Sequence, residues 1–208
     1  MSDRQTVCGG GGLGPEAAGR LFLAIEVAQS ATAHLAGALE GLHRDLARHK
    51  WVESGKYHLT LAFLGETPAK RVADLDRAAA RAAEGVKRGS ARLVGLGAFP
   101  TPRRARVLWA GVDDVDGTLE HAAARLRRSL DRAGFPVESR RFVPHLTLCR
   151  FREPVDLDGR LEVPTGSEAF GVNELVLFRS HLSGRVPQYE PLARYAFSHP
   201  ARRDDESL

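Results

Sequence analysis

Alternating and periodic apolar positions divide the chain into strands and helices. Alternating or continuous apolar runs predict strands over residues 20–27, 57–65, 90–99, 104–113, 144–148, 172–182 and 189–197. Apolar residues at helical spacing predict helices over 30–49, 68–88 and 116–133. The helix residues expected to be buried are Leu35, Leu39, Leu42, Leu46, Val72, Leu75, Ala79, Ala82, Val86, Leu119, Leu126 and Leu130. This mixture of strands and helices predicts an α/β domain.

The two ends of the 208-residue chain differ from its middle. Residues 1–19 contain four consecutive glycines and few large apolar residues, which predicts a flexible extension. Residues 20–198 are long enough to form a single two-lobed domain with its own core. Residues 153–168 are expected to form a loop, and residues 199–208 a disordered tail.

Two strands carry the same tetrapeptide, His58-Leu-Thr-Leu61 and His145-Leu-Thr-Leu148. Because side chains alternate along a strand, each histidine is expected to share a face with its threonine, while the leucines point into the core.

The repeated motif belongs to a longer internal duplication. The run Arg20-Leu-Phe-Leu-Ala24 is matched 86 residues later by Arg106-Val-Leu-Trp-Ala110, and the two motif histidines are 87 residues apart. A duplicated unit of strand, helix and motif strand is expected to place the two motifs opposite each other across a shared cleft.

Two histidines and two threonines in one cleft suit chemistry at phosphorus. One imidazole can accept a proton from water while the other protonates the leaving oxygen, and the hydroxyls can bind phosphate oxygens. A strained 2′,3′-cyclic phosphate would need no metal. A zinc site is the alternative use of two histidines. The sequence has neither His-Glu-x-x-His nor Cys-x-x-Cys, although a distant aspartate or glutamate would still serve as a third ligand. No serine or cysteine lies in a nucleophile elbow.

Composition adds weaker indications. A net charge of +4, carried mostly by arginine, mildly favours a nucleic acid or nucleotide substrate, although codon bias toward arginine would give the same composition. With two cysteines, no apolar run long enough for a bilayer and no signal-peptide pattern, we expect a cytoplasmic protein without disulfides or membrane contact. We also expect a monomer.

The paired motifs resemble those of the 2H phosphoesterase superfamily, and within it the RNA 2′,3′-cyclic phosphodiesterases, also called 2′-5′ RNA ligases. The matching segments are residues 20–25, 58–66, 106–109, 142–148 with Arg150, and 189–192. The resemblance implies a bilobal, pseudo-twofold fold with two antiparallel sheets around a central cleft and helices outside. It also implies metal-independent hydrolysis of RNA or small nucleoside cyclic phosphates to 2′-phosphomonoesters, with no cofactor.

The same resemblance assigns roles to four residues. His58 corresponds to the proton donor and His145 to the proton acceptor, while Thr60 and Thr147 correspond to the phosphate-binding hydroxyls. The residues alone leave open which histidine is the acid.

Further contacts to substrate are proposed from residue type. The candidates for phosphate or RNA backbone are Arg106, Arg141 and Arg150, and those for base stacking are Phe63 and Phe99. Simple alternation argues against two of these, since it puts Phe63 on the core face and Arg150 in phase with Leu148, away from His145.

Two other functions use the same cleft. A non-catalytic module would bind cyclic or 2′-phosphorylated ends without turnover, although such a module could dispense with one histidine. A ligase would run the same chemistry in reverse, which dilute RNA ends in water disfavour.

Overall fold

The computed structural model describes residues 13–163, 165–181 and 187–198. Its strands are β1 (Gly19–Glu26), β2 (Lys50–Trp51), β3 (His58–Thr67), β4 (Gly89–Phe99), β5 (Ala105–Asp113), β6 (His145–Val155), β7 (Phe170–Val172), β8 (Glu174–His181) and β9 (Gln188–Ala196). Its helices are α1 (Gln29–Thr32), α2 (Leu35–Ala38), α3 (Glu40–Asp45), α4 (Ala69–Glu84) and α5 (Thr118–Arg132). The short strands β2 and β7 were not predicted. The expected extension lies largely, and the expected tail wholly, outside the described residues.

The first predicted helix is wrong in its continuity and right in its buried face. Three short helices replace it, although Leu35, Leu39, Leu42 and Leu46 are all buried as predicted. Gly37 and Gly41 lie in this stretch, and glycine lowers the stability of a helix interior by about 1 kcal/mol relative to alanine. Burial of the leucines therefore fixes the path of the segment, while its sequence does not sustain one continuous helix.

Two antiparallel sheets form the framework of the described chain. One has the strand order β3-β1-β8-β9, and the other has the order β2-β6-β5-β4-β7. In each sheet a motif strand pairs with the strand that starts its repeat, β3 with β1 and β6 with β5. This arrangement confirms the two antiparallel sheets that were expected and gives the internal duplication a structural counterpart.

The two long helices pack against each other outside the sheets. The hydroxyl of Ser129 on α5 donates to the carbonyl of Ala78 on α4 at 2.7 Å, and Arg125 Nε donates to the carbonyl of Ala82 at 3.0 Å. The predicted stripes of both helices are buried in the main core. No helix within the described ranges has the length and apolar character needed to cross a bilayer.

Both motif strands contain a β-bulge at the same position. On β3, Thr60 pairs with Ala24 and Ala62 pairs with Leu23, so Leu61 has no partner of its own. On β6, Thr147 pairs with Trp109 and Cys149 pairs with Leu108, which leaves Leu148 without one. A bulge inserts one extra residue and so reverses the faces of the residues that follow. The residues between this bulge and the next register shift, which comes at Leu64 on β3 and after Arg150 on β6, therefore point to the face opposite to the one that simple alternation predicts.

Candidate active site

The two motifs meet where the two sheets meet. Strand β3 is an edge strand of its sheet and packs against β6 of the other sheet. The charge of His145 on β6 contributes to lowering the pKa of His58 on β3. Both side chains are half-buried.

Each histidine is held by the same local hydrogen bond. His58 Nδ1 lies 2.9 Å from the carbonyl oxygen of Lys56, and His145 Nδ1 lies 2.7 Å from that of Val143. A carbonyl can only accept, so Nδ1 carries the proton in both rings. In the neutral imidazole Nε2 is then an acceptor, and it becomes a donor when the ring is protonated. The arrangement aims the same nitrogen of each ring away from its own strand.

The surroundings keep both imidazoles predominantly neutral at pH 7. Burial lowers the pKa of His58, and the charges of Arg150 and His145 lower it further, against the opposing effects of the Lys56 carbonyl and Glu26. Burial also lowers the pKa of His145, as does Arg150, while the Val143 carbonyl and Glu138 oppose the shift. The two groups thus titrate below the ordinary value of 6.5.

Aromatic rings surround His58. The ring centroid of Phe22 lies 5.0 Å from that of His58, and the edge-on ring of Tyr189 lies 5.1 Å away. Phe178 stacks on Phe22 at 5.2 Å, and its ring centroid lies 6.2 Å from that of His58. These rings are brought together by register, since Phe22 pairs with Phe63 on β3 and with Phe178 on β8. Sequence reasoning missed Phe22, Phe178 and Tyr189 as parts of the site, although their strands were predicted.

Phe63 belongs to this surface, and the core position expected for it is wrong. Its side chain is 55% exposed, and its ring centroid lies 6.1 Å from that of Phe22. The bulge at Leu61 is the physical reason, because it turns Phe63 onto the face that carries His58 and Thr60. An exposed ring on the same face as the histidine is a surface of the kind on which nucleobases stack.

Arg150 is the second residue whose predicted face is wrong. The bulge at Leu148 pairs Arg150 with Val107 and puts it on the same face as His145 and Thr147. Its positive charge lowers the pKa of both histidines, so the guanidinium lies within electrostatic reach of both. Phe63 and Arg150 each follow their motif histidine by five residues and occupy equivalent places in the two halves.

The remaining residues proposed from the sequence differ in whether they lie near the histidines or are bonded elsewhere. Thr60 and Thr147 are half-buried on the faces of their histidines, and in the described part of the chain neither hydroxyl is engaged in a hydrogen bond. The ring of Phe99 meets that of His145 edge-on at 5.1 Å. Arg106 instead donates to the carbonyl of Arg152 at 2.6 Å, and Arg141 is paired with Glu120 on α5.

The described residues offer neither a reactive cysteine nor a cluster of metal ligands. Cys149 is buried, and burial raises the pKa of its thiol to about 12, so it is not a nucleophile at neutral pH. Among the described residues no group of three or more histidine, cysteine, aspartate or glutamate side chains is arranged to hold a metal ion.

The sequence matches a known family model over most of its length. The model of the LigT like Phosphoesterase family matches residues 25–109 and 111–187. The chain belongs to this family. An RNA 2′,3′-cyclic phosphodiesterase of Methanothermobacter thermautotrophicus is 32% identical over 181 residues, which cover 82% of this chain and 94% of that protein. One of Geobacillus stearothermophilus is also 32% identical over 181 residues, but they span only 56% of its length.

Solved structures agree with the family assignment. TT0787 of Thermus thermophilus is 30% identical and superposes with a TM-score of 0.74, over 86% of this chain and 98% of that one. E. coli LigT complexed with 3′-AMP is 27% identical, also with a TM-score of 0.74, over 88% of this chain and 99% of that one. The predicted bilobal phosphoesterase fold is confirmed.

Proposed function

We propose that this protein hydrolyses 2′,3′-cyclic phosphates at RNA ends to 2′-phosphomonoesters, with His58 as proton donor and His145 as proton acceptor. The observation that carries the proposal is the paired geometry of the two motifs. Each imidazole is fixed through Nδ1, and one arginine acts on both. The printed names of the relatives, RNA 2′,3′-cyclic phosphodiesterase, support the substrate class.

The reaction needs one proton removed and one supplied. His145 Nε2 accepts a proton from water, whose oxygen forms the new bond to phosphorus. The bond from phosphorus to the 3′ oxygen breaks, and His58 Nε2 gives its proton to that oxygen. The product keeps the phosphate on the 2′ oxygen, and the two histidines are left in exchanged protonation states.

Groups from both motif strands are placed to stabilise negative charge on the phosphate. Negative charge builds on the non-bridging oxygens as water attacks. The hydroxyls of Thr60 and Thr147 can donate to those oxygens, since neither is otherwise engaged among the described residues. The guanidinium of Arg150 adds a fixed positive charge on the same face.

We further propose that the reaction needs no metal ion and that the protein is active as a monomer. We propose the cytoplasm as its compartment. The strained five-membered ring weakens the bond to be broken, and both motif strands come from one chain. Nucleoside 2′,3′-cyclic phosphates that are not attached to an RNA chain are expected to be substrates as well.

The test is an assay on an oligonucleotide that ends in a 2′,3′-cyclic phosphate, with and without EDTA. We expect equal rates in both conditions and a product with only a 2′-phosphate, identified by its chromatographic position against both standards. A 3′-phosphate product would contradict the assigned leaving oxygen, and loss of activity in EDTA would contradict metal independence. A binding-only protein would retain the ligand and release no product.

The pH dependence follows from the lowered pKa of both histidines. The acceptor must be neutral and the donor protonated, so each limb of the kcat/KM profile reports one of them in the free enzyme. Both limbs are therefore expected below their usual positions. A bound anionic phosphate raises the pKa of both groups, and the optimum of kcat should lie at higher pH than that of kcat/KM. Measuring both profiles on one cyclic mononucleotide checks this order, and the reverse order would contradict it.

A further inference from the structure

The two halves of the site differ at the position that faces each histidine. On β1, Glu26 pairs directly with His58, and its charge acts to raise the pKa of that histidine. The equivalent partner of His145 is Gly111 on β5. A Cβ at Gly111 would lie 2.5 Å from the carbonyl oxygen of Val94, so no side chain fits there. A carboxylate directly across the strand is therefore available to one histidine and sterically denied to the other.

Glu26 is held by an ion-pair network on the same sheet face. Arg194 Nη1 lies 2.6 Å from Glu26 Oε2, and the same nitrogen bonds to Glu174. Register explains the arrangement, because Arg194 pairs with Val176 on β8, which pairs with Ala24 on β1, two residues before Glu26. Arg194 thus bridges two carboxylates across β8 and fixes the one beside His58.

The charged and titratable groups around His58 come from three other strands. Glu26 comes from β1, Arg150 and His145 come from β6, and the ring of Tyr189 comes from β9. Of the residues whose charges act on His58, Glu26 is the one carboxylate within the described chain. It is opposed by Arg150 and, when that ring is protonated, by His145.

We propose that Glu26, fixed by Arg194, is a positioning residue that distinguishes His58 as the proton donor of an otherwise symmetric pair. This inference depends on the proposed function, because it assigns roles within that reaction. A carboxylate beside one imidazole stabilises its protonated form, which is the form a donor needs. The acceptor must be neutral, and Gly111 leaves His145 without a carboxylate directly across the strand, so that among the carboxylates of the described chain Glu138 alone acts on it, from outside the strand pair.

The network predicts opposite effects from its two members. In Glu26→Gln the protonated form of His58 loses its support, so the basic limb of the kcat/KM profile should move to lower pH. In Arg194→Gln the carboxylate is released from its partner and a positive charge is removed, so the same limb should move to higher pH. For Glu26→Gln we expect kcat/KM to fall about three- to fivefold at pH values above the basic limb and progressively less below it, as befits a partly exposed charge. The acidic limb, set by His145, should stay in place in both variants.

Two matched controls separate this role from a general change of charge. Glu174→Gln removes a carboxylate from the same network but not the one opposite His58, and should move the basic limb less than Glu26→Gln does. Glu138→Gln removes the carboxylate that acts on His145, and should move the acidic limb instead. Circular dichroism of each variant establishes that the fold is retained.

The histidines can also be titrated directly, without substrate, by NMR of protein labelled in the imidazole rings. We expect the midpoint of His58 to fall in Glu26→Gln and to rise in Arg194→Gln, with His145 nearly unchanged. An unchanged His58 midpoint in both variants overturns the proposal, whatever the enzyme's activity. A shifted His58 midpoint accompanied by movement of the acidic limb overturns it too, because His58 would then be the acceptor. If the variants show the expected NMR shifts but the wild-type protein does not turn over cyclic phosphate, the proposed reaction is refuted, and the donor role with it, while the electrostatic coupling stands.

Discussion

Replacing either motif histidine with alanine is expected to remove most turnover while leaving the fold intact. Loss of a general acid or base lowers the rate by roughly 10²–10⁴-fold. His58 and His145 are half-buried at the junction of the sheets and lie outside the main core, so their removal leaves no large cavity. The measurement is kcat on a cyclic phosphate, together with the thermal midpoint of each variant. His121→Ala is the matched control, because this exposed histidine lies on α5.

The double variant gives a sharper result than either single one. Groups that act in one concerted step are not additive, so His58→Ala/His145→Ala should be only slightly slower than the slower single variant. Multiplicative losses would show that the two side chains contribute independently of each other, and unimpaired turnover in either single variant would rule out the acid–base pair.

Arg150→Met is expected to lower kcat by about 10²-fold, the usual effect of removing one donor from a site of developing negative charge. The substitution keeps an unbranched apolar stem on an exposed position, so stability should change little. Its effect on KM should be smaller than its effect on kcat, because charge on the phosphate oxygens is greatest in the transition state.

The control for Arg150 is its near neighbour Arg152, which is also exposed and whose charge does not figure among those acting on the histidines. Arg152→Met should retain nearly full kcat on a cyclic mononucleotide. Equal losses in the two variants would mean that only the overall charge matters, and that the position of Arg150 on the histidine face has no special role. Arg150→Lys should recover part of the rate, since it restores the charge without the planar guanidinium.

The sequence was sufficient for the parts of the fold that depend on local pattern. The strands that carry His58 and His145, the helices α4 and α5 and their buried stripes all follow from apolar spacing, and the structure confirms them. The equivalent placement of the two motif strands in their sheets could be predicted from the duplication, because equal spacing between equivalent elements implies equivalent folding. The broken first helix did not follow, since the buried leucines keep helical spacing even where the backbone hydrogen bonds do not continue.

The site was less predictable because its details depend on register. The tetrapeptide His-Leu-Thr-Leu does not predict a bulge at its second leucine. One extra residue there is enough to reverse the faces of Phe63 and Arg150. Glu26 was not singled out for a similar reason. It lies 32 residues before His58 in sequence, and only the pairing of β1 with β3 makes the two neighbours.

The matching irregularities at Leu61 and Leu148 bear on how such a protein arose. An identical departure from regular pairing in both halves is simplest to understand if one ancestral half already had it before the gene fragment was copied. The copies then diverged in side chains rather than in backbone. At the fifth residue beyond each histidine, one copy now presents a flat hydrocarbon ring and the other a permanent cation. Divergence at this single equivalent position therefore gives the two halves of the cleft different surfaces, one aromatic and one cationic, on backbones that share the same bulge.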